Sequence, residues 1–178
     1  MNERYLVRVT KDYLVFSAAH FITYAGDICE RLHGHNYRVQ AEVEGPLDDN
    51  HYVIDFIVLR DALKAIVDQL DHHVLLPMSH PMIRVSADEQ QVEAVFEDRR
   101  WVFPRCDVIL LPVSNTTTEL LARFLGHKLL EDLARAGQPR PRALRIGVDE
   151  NFGQWGFWQW EDDSIPKSGH SPEQSGSS

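Results

Sequence analysis

Two early segments of the chain alternate apolar with polar residues. From about Tyr5 to His20, and again from His33 to Glu44, this spacing predicts half-buried strands. In the first, Leu14, Phe16, Ala18 and His20 share a face. In the second, His33, His35, Tyr37, Val39, Ala41 and Val43 do so, opposite Asn36, Arg38, Gln40, Glu42 and Glu44. The period then lengthens. Phe56, Leu59, Leu63, Ile66 and Leu70 recur at spacings of three and four, which predicts a helix capped by Asp55 and ending near Asp71-His72-His73. Alternation returns without helical period from Met82 to Leu111, predicting an insertion of extra strands or hairpins. A second helix is predicted from about Thr117 to Ala136 on the stripe Leu121, Phe124, Leu125, Leu129 and Leu133, stopped by Gly137 and Pro139. Leu144 to Glu150 alternates again, and Asn151-Phe152-Gly153 turns it into an aromatic strand from Trp155 to Trp160. Beyond Asp163 the residues are mostly Ser, Gly, Pro and Glu, too polar to bury a core, so a disordered tail over 163–178 is expected. The fold class is α+β, in the order strand, strand, helix, helix, strand, strand, and 1–162 reads as one domain.

Composition narrows the functions. A chain of 178 residues with 43% hydrophobic content supports one sizeable core rather than two. A formal net charge of -9, with no Lys/Arg cluster to interrupt it, argues against a nucleic-acid partner. No apolar stretch approaches membrane-spanning length, and Met1-Asn2-Glu3-Arg4-Tyr5 lacks the pattern of a signal peptide, so a cytoplasmic protein without a membrane partner is expected. Cys29 and Cys106 read as free thiols.

The candidate chemistry sits on the first two strands. His33 and His35 end one apolar face together, and His20 closes the matching face of the preceding strand, so a hairpin would gather three imidazoles. Three neutral imidazoles with a fourth position open form the catalytic arrangement for Zn²⁺. A His-x-His pair alone is often chance, and a cupin-type site is excluded because Val39 and Gln40 stand where its glutamate belongs. Cys29, four residues before His33, adds a thiol to the cluster.

Six segments then match one family in order: Phe16-Ser17-Ala18-Ala19-His20, Cys29-Glu30-Arg31-Leu32-His33-Gly34-His35, Ile54-Asp55-Phe56, Leu70-Asp71-His72-His73, Thr117-Thr118-Glu119-Leu120-Leu121-Ala122 and Val148-Asp149-Glu150. The chain resembles the 6-pyruvoyltetrahydropterin and 6-carboxytetrahydropterin synthases from about Leu6 to Trp160, apart from the insertion over 82–111. That resemblance implies the tunnelling fold, an antiparallel sheet with two helices on one face. Three subunits join their sheets into a barrel, two trimers stack into a homohexamer, and active sites lie between neighbours. It further implies Zn²⁺ on His20, His33 and His35, and a lyase acting on 7,8-dihydroneopterin triphosphate with loss of triphosphate.

The same resemblance assigns residues. Cys29 matches the catalytic cysteine, and a thiol beside a dication should be depressed toward thiolate. Asp71 and His72 match the remaining catalytic pair, His72 chosen over His73 because it directly follows Asp71. Glu150 matches the pterin anchor, where a carboxylate can accept two hydrogen bonds from a guanidine-like edge; the bland alternative is a strand-end glutamate at a turn. Thr117, Thr118 and Glu119 match a substrate-binding segment, although Thr116-Thr117-Thr118-Glu119 equally fits a capping box. His51, His80, His127 and His170 read as surface residues. The three residues between Cys29 and His33 resemble the 6-carboxy branch, which feeds 7-deazaguanine and queuosine synthesis. Glu30 stands where a folate-related branch carries a glutamate that releases 6-hydroxymethyldihydropterin, so a second activity, an ordinary loop glutamate and the 6-pyruvoyl branch stay open. Leu76 and Asn151 depart from the asparagine and threonine usual in the family, and a non-catalytic zinc scaffold is the alternative of another class.

Overall fold

The computed structural model describes residues 3–164; the tail expected beyond Asp163 lies, apart from its first residues, outside them. Strands β1 (Tyr5–His20) and β4 (His33–Gly45) pair antiparallel along nearly their whole length, with the short strands β2 (Thr23–Tyr24) and β3 (Ile28–Cys29) forming a hairpin between them. The register shifts between Thr10 and Val15. This irregularity switches the parity of β1, so that Val9 before it and Leu14, Phe16, Ala18 and His20 after it all reach the buried face.

Helix α1 (Phe56–Leu70) follows, capped by the Asp55 carboxylate, which accepts the Ile57 N–H at 2.7 Å. It returns the chain to β5 (His73–Pro77), which pairs parallel to β1. Next come β6 (Arg84–Ala87), β7 (Gln91–Phe96), β8 (Arg99–Pro104) and β9 (Val108–Leu111), then α2 (Thr118–Arg135), β10 (Ala143–Asp149) and β11 (Trp155–Glu161). The main sheet has the order β11-β10-β4-β1-β5-β9, and β9 runs parallel to β5. The sheet is therefore mixed, not the antiparallel one expected. The reason is where α1 ends: the His72 N–H bonds the Ser17 carbonyl partway along β1, and β5 runs on from there in the direction of β1. The end of the predicted insertion, β9, belongs to this sheet, while β6, β7 and β8 form a separate antiparallel one.

Both helices cover one face of the main sheet. Leu59, Leu63, Ile66 and Leu70 of α1 and Leu121, Leu125, Leu129 and Leu133 of α2 join Phe16, Tyr37, Val39, Ala41, Ile146 and Val148 in the larger core. Mid-helix Gly126 has a packing reason, since a Cβ there would lie 2.1 Å from the Trp158 ring. Helix α2 ends as predicted at Gly137, whose φ of 71° lets the N–H of Gln138 reach the Leu133 carbonyl at 3.0 Å. The capping box at its start is not formed: Thr117 makes no side-chain cap, and the Thr118 hydroxyl donates to Glu119 instead. A second core joins the inserted sheet to the site loop, through Phe21, Cys29, Leu76, Ile83, Val92, Ala94, Phe96 and Val108. Among the described residues no helix is long and apolar enough to cross a membrane.

Leu63, fully buried between α1 and the sheet, should cost about 2–5 kcal/mol on replacement by Ala. Lys64→Ala on the solvent side, where Lys64 only pairs with Asp68, should cost under about 0.5 kcal/mol. Denaturant midpoints of the two variants should separate accordingly.

Candidate metal centre and catalytic loop

The register of β1 and β4 sets His20 directly opposite His33, with His35 opposite Ala18. The ligand nitrogens of the three histidines lie within 4.8 Å of one another. Their rings stand at steep angles, 59° between His20 and His33 and 89° between His33 and His35, so the three nitrogens can converge on one point rather than stack. Tyr37 lies beneath, edge-on to both His20 and His35. Burial pushes its phenol far above the ordinary range and keeps it neutral.

Two backbone carbonyls orient the ligands. Nδ1 of His20 donates to the Thr116 carbonyl at 3.0 Å and Nδ1 of His33 to the Arg31 carbonyl at 2.8 Å, which leaves each Nε2 with its lone pair free. Nε2 of the fully buried His20 makes no well-formed hydrogen bond, and the oxygen that approaches it, Oε1 of Glu150 at 3.3 Å, is an acceptor like the nitrogen's own lone pair. A buried imidazole nitrogen left unpaired is costly unless a ligand claims it, and a set of three neutral nitrogens suits Zn²⁺. Burial holds His35 below its ordinary pKa, favouring the neutral form a metal needs. The residues therefore fit the metal.

Glu150 faces this cluster from the end of β10. Its Oε1 lies 3.3 Å from Nε2 of His20 and 3.5 Å from Nε2 of His35. Contact with His20, reinforced by His35 and His33, holds its carboxyl below the usual range. Asp149 places it: buried beside Arg38 at 2.5 Å, its carboxylate also accepts the N–H groups of Gly153 and Gln154, closing the turn that carries Glu150. The side chain thus stands at the strand-end turn, partly exposed, and against the histidines at once.

The loop before His33 separates its two candidates. The Glu30 carboxylate lies 3.8 Å from Nε2 of His33. Cys29 is buried in the second core, its thiol 3.5 Å from the Glu30 carbonyl. Burial pushes the Cys29 thiol above its ordinary pKa, with the Arg99 guanidinium pulling the other way. Among the protein's own groups desolvation outweighs the one cation; the depression expected beside a dication is a property of the metal-loaded site.

Asp71 and His72 pair within the chain, Nδ1 of His72 lying 2.8 Å from Oδ2 of Asp71. Asp71 is tied to β1, its Oδ1 accepting the Ser17 N–H at 2.7 Å, and that bond, with His72 adding to it, holds its carboxyl below the usual range. His72 adopts a φ of 59°, and its side chain is 82% exposed. His72 and His35 line one cavity of about 460 Å³ together with Ser17, Asn36 and His73. Thr117 is the N-cap residue of α2, Thr118 packs on Gly156, and Glu119 is exposed; the residue of this segment that touches the triad is Thr116. His80 is not a plain surface residue, since its Nδ1 accepts the N–H groups of Met82 and Ile83 and its Nε2 meets the Thr23 hydroxyl. His51 and His127 are exposed, and His170 lies outside the described residues. Thr116, Asp149 and Arg99 were missed in sequence because each acts through the backbone or through a partner distant in the chain.

Comparison with known proteins accounts for this arrangement. Residues 8–160 match the family model for 6-pyruvoyl tetrahydropterin synthase. The chain belongs to that family. A relative from Methanocaldococcus jannaschii, named provisionally as a 6-carboxy-5,6,7,8-tetrahydropterin synthase, is 31% identical over 142 residues, covering 79% of this chain and 86% of that protein. A Haemophilus influenzae protein of the same name is 27% identical over 133 residues, 71% of this chain and 84% of its own. The solved structure of Plasmodium falciparum 6-pyruvoyl tetrahydropterin synthase superposes with a TM-score of 0.82 at 30% identity, over 90% of this chain and all of that one. A Plasmodium vivax counterpart, with a TM-score of 0.82, 26% identity and the same coverage, is described as a variant of a catalytic glutamate replaced by alanine. The family's enzymes act on pterins, and the mixed sheet with two helices matches these structures.

Loaded with Zn²⁺ and dialysed, His20→Ala should keep less metal than the parent chain, as measured by elemental analysis. Asp71 contributes stability above its unfolded pKa, and loses that contribution as pH falls through its lowered folded value. The stability gap between the parent and Asp71→Asn should therefore be full near neutrality and close in acid, below about pH 4. A gap that widened in acid would contradict this assignment.

Proposed function

We propose that the protein is a zinc-dependent 6-carboxy-5,6,7,8-tetrahydropterin synthase, a lyase that converts 7,8-dihydroneopterin triphosphate and water to 6-carboxytetrahydropterin, acetaldehyde and triphosphate on the route to 7-deazaguanines. The observation that carries this reading is the convergence of His20, His33 and His35 beside Glu150, with the Cys29-Glu30 loop adjoining. The names of the relatives favour the 6-carboxy product. Zn²⁺ held by the three histidines would act as a Lewis acid on the side-chain oxygens of the pterin and acidify the neighbouring C–H. Glu150 accepts the guanidine-like edge of the ring, which sets the reacting side chain next to the imidazoles. Cys29 removes the carbon-bound proton as thiolate. His72, oriented by Asp71, gives and takes protons as triphosphate leaves. Thr117, Thr118 and Glu119 border the substrate in the assembled enzyme, a homohexamer of two stacked trimers whose barrels close the sheet edges. His72, directed out to solvent on its own chain, suits a site completed by a neighbour.

A second reading has its own support. Glu30, not Cys29, stands against a histidine of the triad, and the Plasmodium vivax description names a glutamate as catalytic. In this reading Glu30 is the acid/base group and 6-hydroxymethyldihydropterin is released, alone or beside the carboxy product.

Product identification by mass spectrometry with the zinc-loaded protein separates these. Cys29→Ala should abolish 6-carboxytetrahydropterin, by about 10²-fold or more, with zinc content unchanged. Glu30→Gln should do the same to 6-hydroxymethyldihydropterin if the second reading holds. A parent protein that turns over none of the substrate would leave only the scaffold.

A further inference from the structure

The inserted sheet is tied to the loop before His33 by hydrogen bonds as well as by the second core. Arg99, at the start of β8, donates from Nη2 to the Cys29 carbonyl at 3.0 Å and from Nη1 to the Glu30 carbonyl at 3.2 Å. Its guanidinium lies 5.1 Å over the Phe96 ring and 5.5 Å from that of Trp101. Trp101 in turn stacks on Phe21 at 4.5 Å, and Phe21 directly follows the triad residue His20. The insertion therefore grips the site on both sides, at the residue after one histidine and at the two residues that compete to be the base.

We propose that Arg99 is the positioning residue that fixes the Cys29-Glu30 backbone against the triad, and so decides which of these two side chains meets the substrate. The inference rests on the proposed function, which makes both residues base candidates. Adjacent residues in an extended segment point to opposite sides, so presenting one withdraws the other. The exchange requires rotating the peptides on either side of Glu30, and their carbonyls are what the guanidinium holds. A planar fork binding two successive carbonyls sets their orientation as well as their distance, which a single hydrogen bond to either would leave free. The aromatic faces of Phe96 and Trp101 fix the plane of that fork. In this arrangement Cys29 is held in the second core and Glu30 toward His33. A lysine, a compact point charge on a flexible stem, keeps the charge without the fork. Arg100, the next residue, supplies a control: it pairs with Glu93 within the inserted sheet.

The experiment uses the full-length protein with Cys106→Ser, which leaves Cys29 as its one thiol. Alkylation of Cys29 by iodoacetamide is timed in the parent, Arg99→Ala, Arg99→Lys and Arg100→Ala, at a temperature where all four are folded by circular dichroism. Compared at a pH high enough to ionise the thiol in every variant, so that loss of the Arg99 charge does not change the thiolate fraction, Arg99→Ala should react about tenfold faster, equivalent to roughly 1.4 kcal/mol of lost restraint. Arg99→Lys should resemble Arg99→Ala, and Arg100→Ala should resemble the parent. With substrate, the ratio of 6-carboxytetrahydropterin to 6-hydroxymethyldihydropterin should shift by a similar factor in both Arg99 variants at nearly constant KM. Equal alkylation rates in the parent and Arg99→Ala overturn the proposal, as does an equal effect of Arg100→Ala, which would make Arg99 a stabiliser of the inserted sheet alone. A parent that forms neither product defeats the functional reading, while the thiol rates still decide the role of Arg99.

Discussion

The site exists because β1 and β4 pair in one register. His20 meets His33 across the strands, and the face that carries them also carries Phe16, Tyr37 and Val39 into the core. A slip of one residue would turn His20 to the opposite face and bury Ser17 or Ala19 instead. The irregularity between Thr10 and Val15 makes that register compatible with the rest of β1, because it lets both Val9 and the even-numbered residues after it face inward. Core packing and ligand geometry are thus one constraint, satisfied by the same alternation of side chains.

That shared constraint explains what was readable in the sequence. The strands bearing His20, His33 and His35 and the two helices carry strong periodicity, so their positions and their buried faces followed from the spacing of apolar residues. Strand β5 did not, because His73–Pro77 is a short run whose pairing depends on where α1 delivers it rather than on its own pattern. Strand β9 looked like part of the insertion for the same reason. The burial of Cys29 was hidden too, since the residues that surround it, Val92, Phe96 and Val108, come from 63 or more positions later in the chain.

Charge at the site is arranged around neutral imidazoles. Glu150 brings a carboxylate to His20 and His35, while Tyr37 beneath them stays protonated through burial. The buried Asp149 keeps this carboxylate in place by spending its own oxygens on Arg38 and on two backbone N–H groups. Asp71 follows the same logic on the other side of the cavity, where a bond to the Ser17 backbone anchors the acid that holds His72. Glu150 and Asp71 are thus each tied to a strand or turn rather than left to a flexible surface.

The two cores divide the molecule unevenly between architecture and chemistry. The larger one joins both helices to the central strands, whereas the smaller one holds the inserted sheet, Phe21 and Cys29 together. The cores share strands β5 and β9, yet local opening in a protein follows its least buried cooperative unit, which the smaller cluster offers. Warming or mild denaturant would then loosen the loop that carries Cys29 and Glu30 while the helices remain packed, a step that helical content does not register.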